Sequence, residues 1–563
     1  MQRIYWMRPR VVVVVASLGL IASAGCKNSD DGNEGAELGT DSGETADGTG
    51  DESGDTGDGL SLWEFEPLYG VPNLDDDDQN GKSDWLELVF EEDDEVGTLV
   101  IPETAYMPGD SVRLSLSGGL DTFRLWHNGK HVLGSGAAEP LTEYAINGPS
   151  GDIELRYEFG DFLKYADLTL ERLDADGVVT ATATIEAVSS PLMMNHHLQP
   201  AEHLWIIQTG DNQAYISDYK DALGDDVTAV PGGPYQNDRW IQDEIEFGYS
   251  TAPGGKRFDN VIDSIRNRGL APFASDFFSG PDWYIGMWGN PPQATTFDAF
   301  GNLEASPPVE GYPFGRIYYG REGNNGLNTI LGDFLADQVV QEPFQIPTDW
   351  LCVGHIDEVS TFIADASSAK GFKLLLADTI SAYELFDGLD PSWEMTRYGG
   401  SYGYATVGEL VADSTLRAHN QDFQTNNLDL TRARFKQELG LTDADIIEIP
   451  TIFERVGGCG GRAAALTPGA VNLIVATVDG NGETILAVPD PFARPGNLGP
   501  ADDPVAQDFV QRMPAGVSVA FIDNWYSYHM LLGEVHCGTN VTRTPLEDWT
   551  TAGAALLGLE GGN

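Results

Sequence analysis

From about Trp63 to Ser189 the apolar residues recur at every second position, and this period limits the folds open to the chain more than any other feature. Residues 111–116, 122–127, 153–159 and 166–170 alternate apolar with polar side chains, and Gly118-Gly119, Asn128-Gly129 and Asp176-Gly177 separate such runs as turn signals. A strand with that period is apolar on one face only, so its apolar face must be covered by another sheet. Several short strands at this spacing predict an all-β sandwich over residues 63–188.

Helical spacing enters only after Pro191. Leu327, Ile330, Leu331, Phe334 and Leu335 fall on one helical face. Residues 431–439 read as a helix closed by Gly440, with Thr442 placed to cap the next turn. Apolar runs at 204–207, 374–377, 471–476 and 519–522 recur between the helices and read as buried strands. Residues 189–545 are therefore expected to form a mixed α/β domain. Residues 546–563, ending Gly561-Gly562-Asn563, read as a loose C-terminal tail.

Residues 1–26 read as an export signal. Arg3, Arg8 and Arg10 precede a short apolar run at 11–22, too short to span a bilayer, and Ser23, Ala24 and Gly25 lead to Cys26. A cysteine directly after small residues resembles a bacterial lipoprotein processing site, although Ser23 stands where leucine is usual. The expectation is an exported protein, secreted or lipid-anchored through Cys26 at the outer cell envelope. Residues 27–62 hold Gly, Asp, Glu, Ser and Thr with almost nothing apolar, which predicts a disordered acidic tether.

The chain has 88 acidic and 31 basic residues and a net charge of −57. Such a field repels nucleic acid and suits cationic partners, either metal ions or arginine-rich polypeptides. After Cys26 only Cys352, Cys459 and Cys537 remain, too few for a disulfide scaffold, and at least one must stay unpaired.

Three segments concentrate reactive side chains: NDRWIQDEIEFGY at 237–249, VGHIDE at 353–358 and GEVHCGTNV at 533–541. A cysteine, a histidine and several carboxylates form the inventory for nucleophilic attack on a cationic carbon. Spacing alone leaves open a buried thiol beside a satisfied core pair. Metal binding is the weaker option, because His536 adjoins Cys537 and no ligand spacing pairs either with His355.

These segments resemble the active-site segments of the peptidylarginine deiminases, within the guanidino-group-modifying superfamily. DSIRNRGL at 263–270, FGNLEASPP at 300–308, KGFKLLLA at 370–377 and ELGLTDADIIEIP at 438–450 resemble the same family in the same order. The resemblance implies an α/β propeller of five pseudo-symmetric ββαβ modules, preceded by an immunoglobulin-like β-sandwich. The family's first, cupredoxin-like domain has no counterpart, since the acidic tether stands in its place. The implied activity is calcium-dependent hydrolysis of peptidyl-arginine to peptidyl-citrulline, on arginine-containing peptides or proteins.

Residue by residue, the resemblance assigns Cys537 as nucleophile, His355 as general acid and base, and Asp243 and Asp357 as the pair gripping the guanidinium. A guanidinium stays protonated at physiological pH, so paired carboxylates suit it. Trp240 would line the substrate stem, and Arg268 with its neighbour Arg266 would meet the peptide backbone. Leu531 replaces an arginine that mammalian members carry at the entrance. Gln242, Glu246 and Glu304 with the carbonyls of Phe300 and Leu303 resemble one Ca²⁺ site, and Glu244, Asp263, Ser264 and Asn267 a second. If 241–247 is extended, Gln242, Glu244 and Glu246 share one face and Asp243 takes the other.

A third candidate calcium loop lies at 76–87, where DDDQNGKSDWLE offers Asp76, Asp78, Asn80 and Glu87 around Gly81. Two rival functions remain: deimination of free arginine or a small guanidino compound, and a non-catalytic calcium-binding surface module.

Overall fold

A computed structural model of the chain describes residues 63–91, 95–136, 138–477, 484–545 and 548–558. The export signal, the tether and Cys26 lie outside the described residues. Among those described, no helix is long and apolar enough to cross a membrane.

Residues 68–189 form two sheets. One places Leu68–Gly70, Val179–Ser189, Tyr165–Leu173, Ser111–Ser117 and Glu143–Asn147 side by side; the other places Gly97–Ile101, Ile153–Phe159, Phe123–His127 and Lys130–Gly134. Alternation in the sequence becomes alternation in burial: Val112 and Leu114 from the first sheet and Leu125 and Leu155 from the second are fully buried in one shared core. The hairpin at Asn128-Gly129 turns with both residues at positive φ (51° and 69°), the geometry that matches the twist of the flanking strands.

Among the described residues, 193–543 build five further mixed sheets, each with one parallel strand pair beside antiparallel pairing, and a two-stranded antiparallel sheet of Phe453–Arg455 and Ala463–Ala465. The parallel partner requires a crossover, and helices supply it. Gln213–Leu223 joins Ala201–Gln208 to Val227–Pro231, Thr329–Asp337 joins Ile317–Arg321 to Phe344–Pro347, and Pro504–Arg512 joins Thr484–Pro489 to Val517–Ile522. The 374–377 run sits in Phe372–Asp378 and the predicted late helix is Asp429–Leu439, ended by Gly440 at φ 61°. Thr442 caps the following turn as expected. Thr539–Arg543 pairs with Ala201–Gln208, so the last strand of this region closes back onto one near its start.

Two expectations are corrected. Residues 241–244 are not extended: Glu244 N donates to Ile241 O at 3.1 Å in a turn, and the strand starts at Ile245. Ile241 and Ile245 are both fully buried and anchor this turn at its two ends. The C-terminal residues 548–558 are not a loose tail. Trp549 is fully buried beside Tyr69 and Phe314 and begins the helix Trp549–Gly553, so its apolar surface ties the segment down. Residues 559–563 lie outside the described residues.

Candidate functional site

Each of the five mixed sheets contributes the segment leading into one of its antiparallel strands. The turn at 241–244 precedes Ile245–Ala252, and Phe300–Asn302 precedes Leu303–Ala305. Ile356–Glu358 precedes Ser360–Ala364, Asn472 precedes Ile474–Thr477, and His536–Gly538 precedes Thr539–Arg543. Asp243, Gly301, His355 with Asp357, Asn472 and Cys537 all stand on these segments.

Gly301 marks where they meet. A Cβ built on it would lie 2.8 Å from His355 Nδ1, 2.9 Å from Asp357 Oδ2 and 3.3 Å from Asp243 Oδ1. Cys537 Sγ is 3.5 Å from the same Asp357 oxygen. His355 Nε2 is fixed at 2.9 Å from the Thr296 carbonyl, which turns Nδ1 inward to within 3.6 Å of Asp243. His355 Nδ1 and Asp357 Oδ1 are buried without a hydrogen bond, each costing about 1–3 kcal/mol if left so. A planar cation with several N–H donors would satisfy Asp357 Oδ1 and lie between the two carboxylates.

Among the described residues Cys537 is the unpaired cysteine and is buried; Cys352 and Cys459 are joined in a disulfide. Burial, then the negative charges of Asp357 and Asp243, push its thiol well above the usual range. Asn472 holds the thiol in place: its Nδ2 donates to Cys537 Sγ at 3.3 Å, while its Oδ1 accepts from the backbone N–H of His536 at 2.9 Å.

Trp240 packs edge to face on Tyr528, and Gly533 leaves no side chain between backbone and indole, since a Cβ there would come within 2.2 Å of the ring. Arg268 is half exposed, 3.4 Å from Asp238, on an open cleft of about 570 Å³ lined by residues 236–240 and 267–269. Arg266 is instead turned inward, 3.0 Å from Glu244 Oε2 and 3.6 Å from both Asp238 and Asp243. Leu531 is about half exposed.

Gln242 and Glu244 leave the turn at 241–244 toward different neighbours, Gln242 to Glu246 and the Phe300 carbonyl, Glu244 to Arg266 and Asp263. Glu244 faces Asp263, while Ser264 Oγ donates to the Asp298 carbonyl and Asn267 adopts a positive φ of 47°. Burial raises Glu244 to about 7, against the lowering effect of Arg266, and burial with the charge of Glu244 raises Asp263 to about 8. Glu244 Oε1 and Asp263 Oδ1 are buried with no hydrogen-bond partner. Two hard oxygens in that condition fit calcium.

In the other group, Gln242 Nε2 donates to Glu246 Oε2 at 2.7 Å and to the Phe300 carbonyl at 3.3 Å. Burial and the charge of Glu304 raise Glu246 to about 8. Leu303 opens the strand that carries Glu304. The acidic loop also closes on itself. Asn80 N donates to Asp76 Oδ1 at 2.8 Å and Asp78 Oδ1 at 3.0 Å, Asn80 Nδ2 reaches Glu87 at 3.0 Å, and Gly81 takes φ 90°.

A family model described as protein-arginine deiminase matches residues 180–550. The chain belongs to that family. Protein-arginine deiminase type-4 of Rattus norvegicus is 34% identical over 414 residues, covering 69% of this chain and 60% of the relative. Type-1 of Homo sapiens is 34% identical over 446 residues, covering 74% and 65%. Type-1 of Mus musculus is 35% identical over 376 residues, covering 63% and 55%. The chain thus spans about 55–65% of the length of these relatives.

Sequence reasoning missed Gly301, Asn472, Thr296, Asp238 and His197. The resemblance already covered FGNLEASPP, so Gly301 was within reach; nothing in the local pattern marks Asn472, Thr296 or His197.

Proposed function

We propose that this protein hydrolyses the guanidino group of peptidyl-arginine to peptidyl-citrulline and ammonia, with Cys537 as nucleophile. The observation that carries the reading is the convergence of His355, Asp357 and Asp243 on one point beside the Cys537 sulfur. Asp243 and Asp357 hold the guanidinium by hydrogen bonds that keep its carbon within reach. The cation offsets the two negative charges that keep the thiol protonated, so substrate binding itself favours the thiolate. His355 takes the proton that the thiol gives up, the thiolate attacks the guanidino carbon, and the C–N bond breaks as His355 passes that proton to the departing ammonia. His355 next takes a proton from water, the hydroxide adds to the amidino carbon, and the Cys537–carbon bond breaks to leave citrulline.

Glu244, Asp263, Ser264 and Asn267 would hold calcium, whose charge would offset the carboxylates of Asp263 and of Glu244, next in the chain to Asp243. The loop at 76–87 is a further oxygen-rich site. Arg268, exposed on the cleft, supports a peptidyl substrate over free arginine by offering a donor to backbone carbonyls. The five mixed sheets and closing strand pair support a five-module propeller, and the two sheets at 68–189 an immunoglobulin-like domain. The Cys352–Cys459 disulfide supports an exported, oxidising location, in keeping with the signal and lipoprotein reading at 1–26.

The test is citrulline and ammonia release from a blocked arginine peptide, with calcium and with chelator, against free arginine. Calcium-dependent release from the peptide is expected. A clear preference for free arginine would remove the peptidyl reading, and full activity of Cys537→Ala would remove the nucleophile.

A further inference from the structure

Cys352 stands three residues before His355, and its disulfide partner Cys459 lies 107 positions further along the chain. Residues 352–355 are neither helix nor strand, so the histidine depends on a few ties along this segment. Downstream, Glu358 Oε1 accepts from the backbone N–H groups of Gly354 at 3.0 Å and His355 at 2.8 Å. Thr296 grips the middle: its Oγ1 donates to the Val353 carbonyl at 2.7 Å, and its own carbonyl meets His355 Nε2. Upstream, the segment lies against the hairpin of Phe453–Arg455 and Ala463–Ala465. Cys352 N donates to Ala463 O at 2.6 Å, Ala463 N donates to Trp350 O at 2.8 Å, and the disulfide adds a covalent tie.

The turn closing that hairpin reads Gly457-Gly458-Cys459-Gly460-Gly461. A Cβ placed on any of its four glycines would meet nothing within 4 Å, and Gly457, Gly458 and Gly460 are exposed. Cys459 is thus the only residue of the turn with a side chain to anchor it, and the glycines leave the backbone wide freedom once that anchor is gone. The chain beyond the hairpin reaches the site as well: Ala464, Ala465, Gly469 and Asn472 line a small cavity with Glu358 and Cys537. The disulfide therefore clamps the His355 segment to the chain that runs on to Asn472, two of the five segments that meet at the site.

We propose that Cys352 and Cys459 are positioning residues: their disulfide sets His355 for proton transfer, and its reduction slows the reaction while leaving substrate binding nearly intact. Trp240, Asp243 and Arg268 stand on other segments, and Asp357 keeps its own partner in His536 at 3.0 Å. A dithiol reductant supplies the two electrons. One of its thiolates attacks a disulfide sulfur, the S–S bond breaks, and the chain gains two thiols as the reductant closes to a cyclic disulfide. Two opposite demands then meet in one site, since Cys537 must stay reduced to react and the tether must stay oxidised. Cys537 is buried, whereas Cys352 and Cys459 are half-buried and within reach of the medium. The effect on rate rests on the deimination reading; the loosening of the segment does not.

The experiment reduces the purified full chain with dithiothreitol in saturating calcium, maps the freed thiols by mass spectrometry, and measures kcat and KM on a blocked arginine peptide. Hydrogen exchange is followed on the same samples. A fall in kcat of at least about tenfold is expected, within the ~100-fold that a 1 Å misplacement costs, with KM changed by less than about threefold. Reoxidation with oxidised glutathione should restore the rate. The double variant Cys352→Ser, Cys459→Ser should match the reduced parent and ignore the reductant. Amides of 350–358 should exchange faster after reduction, while those of Ile474–Thr477 stay protected. Unchanged kcat with both thiols freed, or a rise in KM alone, would overturn the proposal. Faster exchange throughout the chain would also overturn it, because the disulfide would then support the fold and not the site. An oxidised chain without activity strikes the deimination reading alone; exchange at 350–358 then decides, and no change there overturns the tether. Reduction of the parent suffices even if the double variant fails to fold.

Discussion

Replacing Gly301 by alanine adds one methyl group where three polar side chains converge. The new Cβ would stand 2.8 Å from His355 Nδ1 and 2.9 Å from Asp357 Oδ2, where ordinary contact begins at 3.4 Å. Both groups must therefore retreat by about half an ångström, and neither is free to do so. His355 is held by the Thr296 carbonyl at 2.9 Å, and Asp357 by His536 at 3.0 Å. Gly301 is not among the residues with positive φ, so alanine fits its backbone without strain and the fold should be little affected. A misplacement of about 1 Å at a reacting group costs about 100-fold, and two displaced groups in a narrowed pocket should approach that loss in kcat/KM, about 2.7 kcal/mol in transition-state stabilisation. The assay is citrulline formation from benzoyl-arginine amide at saturating calcium, with melting temperature measured on the same preparations. A kcat/KM within about threefold of the parent would refute the convergence argument, because the methyl group would then not occupy reacting space. A collapse of the melting temperature would refute the claim that the glycine serves the site and not the fold.

Three further outcomes follow from the same geometry. Alkylation of Cys537 by iodoacetamide in the substrate-free chain should be slow at neutral pH and still rising above pH 9, because burial and two carboxylates hold the thiol up; a plateau at neutral pH would contradict this. Glu244 at about 7 and Asp263 at about 8 lie above their unfolded values, so the folded chain binds more protons and loses stability as pH rises through that interval. In chelator the melting temperature should fall from about pH 5 to 8 and added calcium should restore it; a flat or rising profile in chelator would count against the assignment. Trp549→Ala should cost about 3–5 kcal/mol in chemical unfolding, as for other buried tryptophans, whereas a change under about 1 kcal/mol would return this segment to a loose tail.

Legibility varied with the range of the interactions involved. The strand at Ile153–Phe159 and the Thr442 cap were readable because alternation and capping are local. The run at 471–476 was less so: the strand begins only at Ile474, since Asn472 leaves the ladder to bond Cys537 and His536. The turn at 241–244 misled the period-two reading for the same reason. Its residues serve three different neighbours, and a functional segment breaks the local pattern it sits in.

Residue order and apolar period were enough to name the family, to separate an all-β from a mixed α/β region, and to nominate Cys537, His355, Asp243 and Asp357 as candidates for the site. Each rests on residue order, on apolar period or on motifs a few residues long. The inward turn of Arg266, the pairing of Cys352 with Cys459, the place of Gly301 at the meeting point and the facing of His197 and His536 come from the folded chain alone. Those contacts join residues tens to hundreds of positions apart, and a chain's local preferences carry no information about which distant segments its sheets will bring together.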